Sequence, residues 1–366
     1  MIKPASSRCS MRCKYCFYSD VSSARQVPDF GIMSHETAKA VIEKALAFAD
    51  GESVCFAFQG GEPLTAGKDF FRYFTGEVSR LNRKKSPVYY GMQTNGLLLD
   101  DEWAELLHDN GFLVGLSLDG DIEDNRLRVD AAGKGTCGRV TEKAELLRQY
   151  EVDFNILTVL TGYCADNIER IYRYFKKKGF RYLQFIPCLR PLEGVSTEKI
   201  NGEKAEGGLY MTAQQYAAFL IKLFNLYVKD YVRGSYTSIR LFDNWVRLYL
   251  GQQPEQCGML GHCSHQFVVE GNGNVYPCDF YCTDTWLLGN INETDFHALA
   301  HCEKATEFIK ESLAVPEKCR ACRYYPLCRA GGCKRSRRDA DYCEAYKKFF
   351  SACLPLFRVF INEKQI

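Results

Sequence analysis

Between residue 1 and about residue 240, short apolar runs alternate with longer stretches whose apolar positions recur every three to four residues. The runs IKPA, VCFAFQ (54–59), VYYGMQ (88–93), LVGLSL (113–118), FNILTVL (154–160), YLQFIP (182–187) and SIRLF (238–242) predict strands. SHETAKAVIEKALAFAD predicts a helix that starts at Ser34, with Glu36 and Thr37 in its first turn. Such repetition is the pattern of an α/β fold, a parallel sheet or barrel with helices outside, and an open doubly wound sheet fits the same periodicity. Residues 191–210 are polar and glycine-containing and predict a surface excursion, followed by a helical stretch, MTAQQYAAFLIKLFNLYVKDYV. Beyond about residue 240 the rhythm fades and cysteines accumulate. Two domains are therefore expected, 1–235 and 236–366.

Composition narrows the function classes. Lys+Arg is 47 and Asp+Glu is 45, so no nucleic-acid partner is expected, and RKK (83–85) and KRSRR (334–338) read as solvated faces. No apolar run reaches the roughly 20 residues that span a bilayer. The N-terminal segment is too polar for a signal peptide, so a cytoplasmic protein without a membrane partner is expected. A reducing compartment makes metal or redox work the better use of 18 cysteines than a disulfide framework.

The cysteines are unevenly placed. Cys9, Cys13 and Cys16 fall within eight residues, and Cys257, Cys263, Cys278, Cys319, Cys322, Cys328, Cys333 and Cys343 crowd the last third. Two close thiols suit a redox pair, and four close a zinc site or a [4Fe–4S] cluster. Three thiolates on a cubane leave one iron free for another donor. Cys55, Cys188 and Cys282 sit in apolar runs and are expected to be buried packing thiols. Three polar, glycine-bearing words, QGGEP, QTNG and SLDG, follow successive strands. In a parallel barrel the strands' C-terminal ends line the face where chemistry gathers.

The C-x3-C-x2-C loop, with Tyr15 before Cys16, resembles that of the radical S-adenosylmethionine enzymes. That resemblance implies a partial (β/α)6 TIM-like barrel and a [4Fe–4S] cluster on Cys9, Cys13 and Cys16, with S-adenosylmethionine on the open iron. By the same resemblance, Tyr15, Gln59, Gly60, Gly61, Glu62, Gln93, Thr94, Asn95, Ser117, Asp119, Arg128 and Leu189 are implied around the cofactor. Arg128 is the candidate partner of its carboxylate. The C-terminal cysteines look like a SPASM extension with two further [4Fe–4S] clusters. The implied ligand sets are Cys257, Cys263, Cys278 and Cys333, and Cys319, Cys322, Cys328 and Cys343.

From IKPASS and RCKYCFY through FAFQGGEP, FLVGLSLDG, LQFIPCL and CGMLGHC to QFVVEGNGNVYPCDFY, the chain resembles the anaerobic sulfatase-maturating enzymes. The resemblance implies oxidation of a Cys or Ser side chain in a sulfatase to Cα-formylglycine without oxygen. It makes Asp279, directly after Cys278, the candidate base. The implied partners are a sulfatase polypeptide and an external electron donor such as flavodoxin or ferredoxin. A SPASM-type peptide maturase forming a thioether, carbon–carbon or epimerised product is the nearest alternative. Many of these carry an added N-terminal recognition domain, for which a start on IKPA leaves no room. A non-catalytic iron–sulfur carrier would not need QGGEP, QTNG and SLDG beside an open cluster.

Overall fold

The computed structural model describes residues 1–191, 208–332, 334–339 and 342–361. Six strands, β1 (Val54–Phe58), β2 (Val88–Thr94), β3 (Phe112–Ser117), β4 (Phe154–Leu160), β5 (Tyr182–Pro187) and β6 (Ser238–Ile239), form one parallel sheet. Their order in space is their order in sequence. A doubly wound sheet reverses its strand order at a switch point, so the sequential order selects the partial barrel.

Alternation within the strands sets the two faces. Phe56, Phe58, Met92, Phe112, Val114, Leu116, Ile156, Leu160, Leu183 and Phe185 are buried. The helices outside supply the matching stripes, Phe70, Phe71, Phe74 and Val78 on Lys68–Leu81 and Ile168, Ile171 and Phe175 on Ile168–Lys177. Positions of the other parity, Cys55, Tyr89 and Leu113, face the open inner side and are exposed. Cys55 is therefore not a packing thiol, whereas Cys188 and Cys282 are buried as expected. Further along the same face, near the strands' C-terminal ends, lie Gln59, Gln93 and Ser117.

The helix at Ser34 is present as His35–Ala49, with the Ser34 side chain capping the Thr37 amide. Helix Ala213–Val232 opens with a reciprocal capping box between Thr212 and Gln215. Most of the expected surface excursion, 192–207, lies outside the described residues.

Two of the seven strand expectations are corrected. IKPA contributes only Ile2, which takes a hydrogen bond from Gln59 N (3.0 Å) and gives one to Ala57 O (2.8 Å). Pro4 has no N–H to continue the ladder, and the chain turns there. In SIRLF only Ser238–Ile239 pair with β5, and a helix, Arg240–Tyr249, begins at once. Its buried Phe242, Trp245 and Leu248 recur at helical spacing. The sheet thus includes residues just past the 235/236 division expected from the sequence.

A small antiparallel sheet follows, β7 (Val268–Val269), β8 (Asn274–Tyr276) and β9 (Gly289–Asn290). Ile2 bridges it to the barrel, because Lys3 N donates to Val269 O at 2.8 Å. Helix Cys343–Cys353 packs back on the barrel, with Phe349 against Phe224 (5.4 Å) and Trp245 (4.8 Å). Among the described residues, no helix is long and apolar enough to cross a membrane.

Candidate active site

The cysteine loop is stitched to its surroundings by backbone bonds. Arg12 N donates to Val129 O (2.8 Å) and Lys14 N to Leu127 O (3.0 Å), which holds Tyr15 against Arg128. On the other side, Gly61 N donates to Ser6 O (3.0 Å) and Glu62 N to Arg8 O (2.7 Å). The QGGEP word therefore abuts the start of the loop. A Cβ on Gly61 would lie 2.1 Å from Arg8 O, far inside contact distance, so this position requires glycine. Gly60 has φ +119°, a conformation open to glycine for a different reason. Gly61→Ala is expected to displace residues 6–9 and lower iron per chain after reconstitution to well under half the wild-type content. Iron assay and visible absorption would check this, and full loading would contradict it.

Cys9, Cys13 and Cys16 are half-buried and close enough to feel one another's charge. Burial pushes the Cys9 thiol up to about 11 and Cys13 up to about 12, so ionising them as ligands calls for a positive metal centre. Cys9 Sγ accepts from Met11 N (3.4 Å) and Asn95 Nδ2 (3.6 Å), which ties QTNG to the loop. Among the described residues no three such side chains converge tightly enough for a single ion, which a four-iron cubane, wider than one ion, does not require. The donor set fits a cluster with one iron left open.

Glu62 is buried and accepts from Leu64 N (3.1 Å), Thr94 Oγ1 (2.8 Å) and Asn95 N (2.8 Å). Burial nevertheless outweighs these donors and pushes its carboxyl up to about 7. Between the ordinary value of 4.5 and about 7 the folded protein holds a proton that the unfolded chain has released. The stability Glu62 contributes is full below the lower value and is lost as pH rises through about 7, an effect on the order of 3 kcal/mol. Glu62→Gln cannot titrate, and denaturation of cluster-free protein across that window is expected to show a flatter pH dependence.

Gln93 Nε2 donates to Ser117 Oγ at 2.9 Å across β2 and β3. A Cβ on Gly115 would sit 2.1 Å from the Gln93 amide oxygen, so Gly115 makes room for it. Asp119 lies just past β3, with Oδ1 taking Arg128 Nη2 (2.9 Å) and Val159 N (2.9 Å) and Oδ2 taking the Tyr15 hydroxyl. Arg128 thus pairs with a protein carboxylate, and its cationic carbon stands 5.4 Å from the Tyr15 ring centroid. Leu189 is half-buried two residues past β5, on the same rim.

Asp279 begins a short turn directly after Cys278 and is 8% exposed. Tyr18 OH donates to its Oδ2 at 2.8 Å, and Lys3 Nζ stands 3.0 Å from Oδ1 as an ion pair. Burial opposes the Lys3 charge, but Asp279 and its other neighbours more than offset that and hold Lys3 above the usual lysine range. Tyr18 also reaches Gln59 Oε1 (3.2 Å), so one hydroxyl joins the cysteine loop, QGGEP and Asp279. Glu270 sits behind Lys3 at 3.7 Å and pairs with Arg25 at 2.5 Å. Sequence reading passed over Lys3 and Tyr18. Their signals were a charged residue inside the apolar start IKPA and a second aromatic after Cys16.

In the C-terminal cysteine field, Cys319, Cys328 and Cys343 line one cavity of about 180 Å³. Cys322 is near enough to act on the Cys328 thiol, which burial pushes up to about 11. Those four donors fit one cluster. Cys257 is exposed, Cys263 and Cys278 are half-buried, and Cys333 lies outside the described residues. A Cβ on Gly332 would meet Gly258 O at 1.9 Å, so Gly332 lies directly against the backbone beside Cys257.

Comparison with known proteins separates the possible families. Residues 4–175 match the family model of the radical SAM superfamily, and residues 257–323 match that of the SPASM iron–sulfur cluster-binding domain. The chain is 44% identical to the cysteine-type anaerobic sulfatase-maturating enzyme of Clostridium perfringens, over 97% of this chain and 96% of that protein. The chain belongs to the anaerobic sulfatase-maturating enzymes. It is 28% identical to a serine-type member from Bacteroides thetaiotaomicron, over 97% of this chain and 89% of the relative. Among solved structures, native anSMEcpe with bound AdoMet and Cp18Cys peptide superposes with a TM-score of 0.91 at 40% identity, covering 99% and 98% of the two chains. The sulfatase-maturating fold of barrel plus SPASM unit is thus present from end to end.

Proposed function

We propose that this protein oxidises a cysteine side chain in a sulfatase polypeptide to Cα-formylglycine without oxygen. The observation that carries the reading is Asp279, held by Tyr18 and Lys3 next to Cys278 and joined through Tyr18 to the QGGEP word. Cysteine rather than serine is assigned as the target because similarity to the cysteine-type relative is much the higher.

When bound and reduced, S-adenosylmethionine on its cluster supplies hydrogen-atom abstraction from an unactivated carbon. The chain's part is to bind, orient and move protons. We assign Cys9, Cys13 and Cys16 to hold that cluster. Glu62, Asn95, Ser117 and the Tyr15–Asp119–Arg128 group shape the rim where the cofactor is held. Asp279 takes the substrate thiol proton, which makes the remaining carbon centre easier to oxidise. Both its oxygens keep a lone pair beyond the contacts to Lys3 and Tyr18, and Lys3 balances its charge where water is largely excluded. The eight C-terminal cysteines are assigned to two further clusters, and the reducing electron to an external carrier such as flavodoxin or ferredoxin. We place the unit boundary near residue 240.

The test is direct. Reconstituted enzyme, S-adenosylmethionine, dithionite and a C-x-P-x-R peptide are expected to yield 5′-deoxyadenosine and an aldehyde-bearing peptide by mass spectrometry. The matching S-x-P-x-R peptide is expected to react more slowly. Deoxyadenosine with an untouched peptide would overturn the sulfatase reading.

A further inference from the structure

The proposed oxidation removes one hydrogen atom from the substrate's Cβ, then one electron and the thiol proton. The proton goes to Asp279, but the electron has to leave the protein, and the distribution of cations marks where. Between residues 317 and 358 stand eleven lysines and arginines against four acids, an excess of seven in a chain of net charge +2. The rest of the chain is therefore net negative.

Several of these cations serve the fold. Lys334 pairs with Glu311 at 2.5 Å. Buried Arg335 donates to Arg190 O, Arg337 to Gly261 O, and Arg329 to Leu260 O. Lys318, Arg320, Arg323, Lys347 and Lys348 are exposed to solvent; Lys347 pairs with Glu344 at 3.0 Å and Arg323 lies over the Tyr324 ring at 5.0 Å.

The five exposed cations belong to two segments that the fold brings together. Lys318 lines the cavity shared by Cys319, Cys328 and Cys343. Lys347 is close enough to Cys343 and Cys322 to feel their charge. Tyr324, next to Arg323, stacks on Phe350 of helix Cys343–Cys353 with centroids 5.7 Å apart. Cys319 and Cys322 are themselves only half-buried. An electropositive rim thus borders the half-buried thiols of Cys319, Cys322, Cys328 and Cys343.

We propose that this face docks an acidic protein carrying a one-electron redox group, which takes up the second electron of the oxidation. The inference rests on the formylglycine reading. The balance closes because the oxidised carrier gains the one electron while Asp279 passes the proton to solvent. Charge complementarity of this kind acts mainly on encounter rate and weakens with salt. The competing account is that the cations only offset the negative charge of four thiolates, and it needs no partner.

Cluster-loaded enzyme would be titrated with oxidised flavodoxin, an acidic carrier, at low and high salt. Lys347→Glu/Lys348→Glu lies outside the 319–328 segment, and Arg320→Glu/Arg323→Glu lies within it. Iron content and visible spectra check that both load normally. Binding that weakens with salt, and by roughly tenfold or more in either loaded variant, is expected. Carrier reduction in a single turnover should fall by a similar factor, with transfer to a small uncharged acceptor unchanged. Equal binding by wild type and both variants, or a shifted cluster potential with binding intact, would overturn the proposal in favour of charge compensation. Loss in the variants of single-stranded RNA binding alone would overturn it too. Formylglycine formed by wild type that binds no flavodoxin would remove the docking face and leave the reaction standing. Carrier bound without any formylglycine would instead sink the reaction.

Discussion

Asp279→Asn is expected to keep cleaving S-adenosylmethionine while formylglycine falls by about 10²–10⁴-fold, the usual contribution of a positioned general base. The substitution preserves shape. The side-chain amide oxygen can still accept from Tyr18, whose hydroxyl lies 2.8 Å from Oδ2. What it loses is the negative charge opposite Lys3 and the ability to take a proton. Lys3 is not left alone, because Glu270 remains 3.7 Å away, so folding should change little. The informative quantity is the ratio of deoxyadenosine to aldehyde, measured in one reaction by chromatography and mass spectrometry. A ratio that climbs by two orders of magnitude or more places Asp279 after hydrogen abstraction. A ratio equal to wild type would remove it from the mechanism.

Much of this site was legible in the sequence because its parts are short and local. A strand of period two followed by a glycine-bearing word marks a barrel rim, and Gln59–Glu62, Gln93–Asn95 and Ser117–Asp119 all fall there. The Ser34 helix start was equally local, since a cap and its amide are three residues apart. Contacts between distant segments were not readable. Lys3 and Asp279 are 276 positions apart and meet only because Ile2 bridges β1 to the small sheet. The partner of Arg128 was missed at short range, since Asp119 stands only nine positions earlier. As a lone arginine it suited a ligand's carboxylate, but the fold turns it onto Asp119 and the Tyr15 ring. Cys55 misled for a different reason. Its run is apolar, but a barrel left open on one side exposes the inner parity that a closed barrel would bury. SIRLF failed because five apolar-rich residues can begin a strand and end in a helix, and only the burial of Trp245 and Leu248 beyond it decides.

The Arg128–Asp119 contact also carries the largest expected effect on stability. Asp119→Ala would leave a guanidinium that is 5% exposed without a counter-charge, and deprive Val159 N and the Tyr15 hydroxyl of their acceptor. Breaking a buried pair from one side costs about 3–5 kcal/mol, because the remaining charge stays desolvated. By contrast the exposed Arg72–Glu102 pair should contribute little, because solvent screens both charges. The asymmetry gives the test its shape. Arg128→Met removes the charge that most needs a partner and leaves Asp119 its bonds from Val159 and Tyr15, so it should cost less than Asp119→Ala. Combining the two should recover a large part of the loss, since no lone charge then remains. Tyr15 lies between Cys13 and Cys16, so Asp119→Ala should also lower iron retention, and the double variant should restore stability more fully than iron. Denaturant midpoints and iron assays on the three variants would check the order. An Asp119→Ala cost no larger than that of the exposed pair would mean the Tyr15–Asp119–Arg128 group does not anchor the cysteine loop.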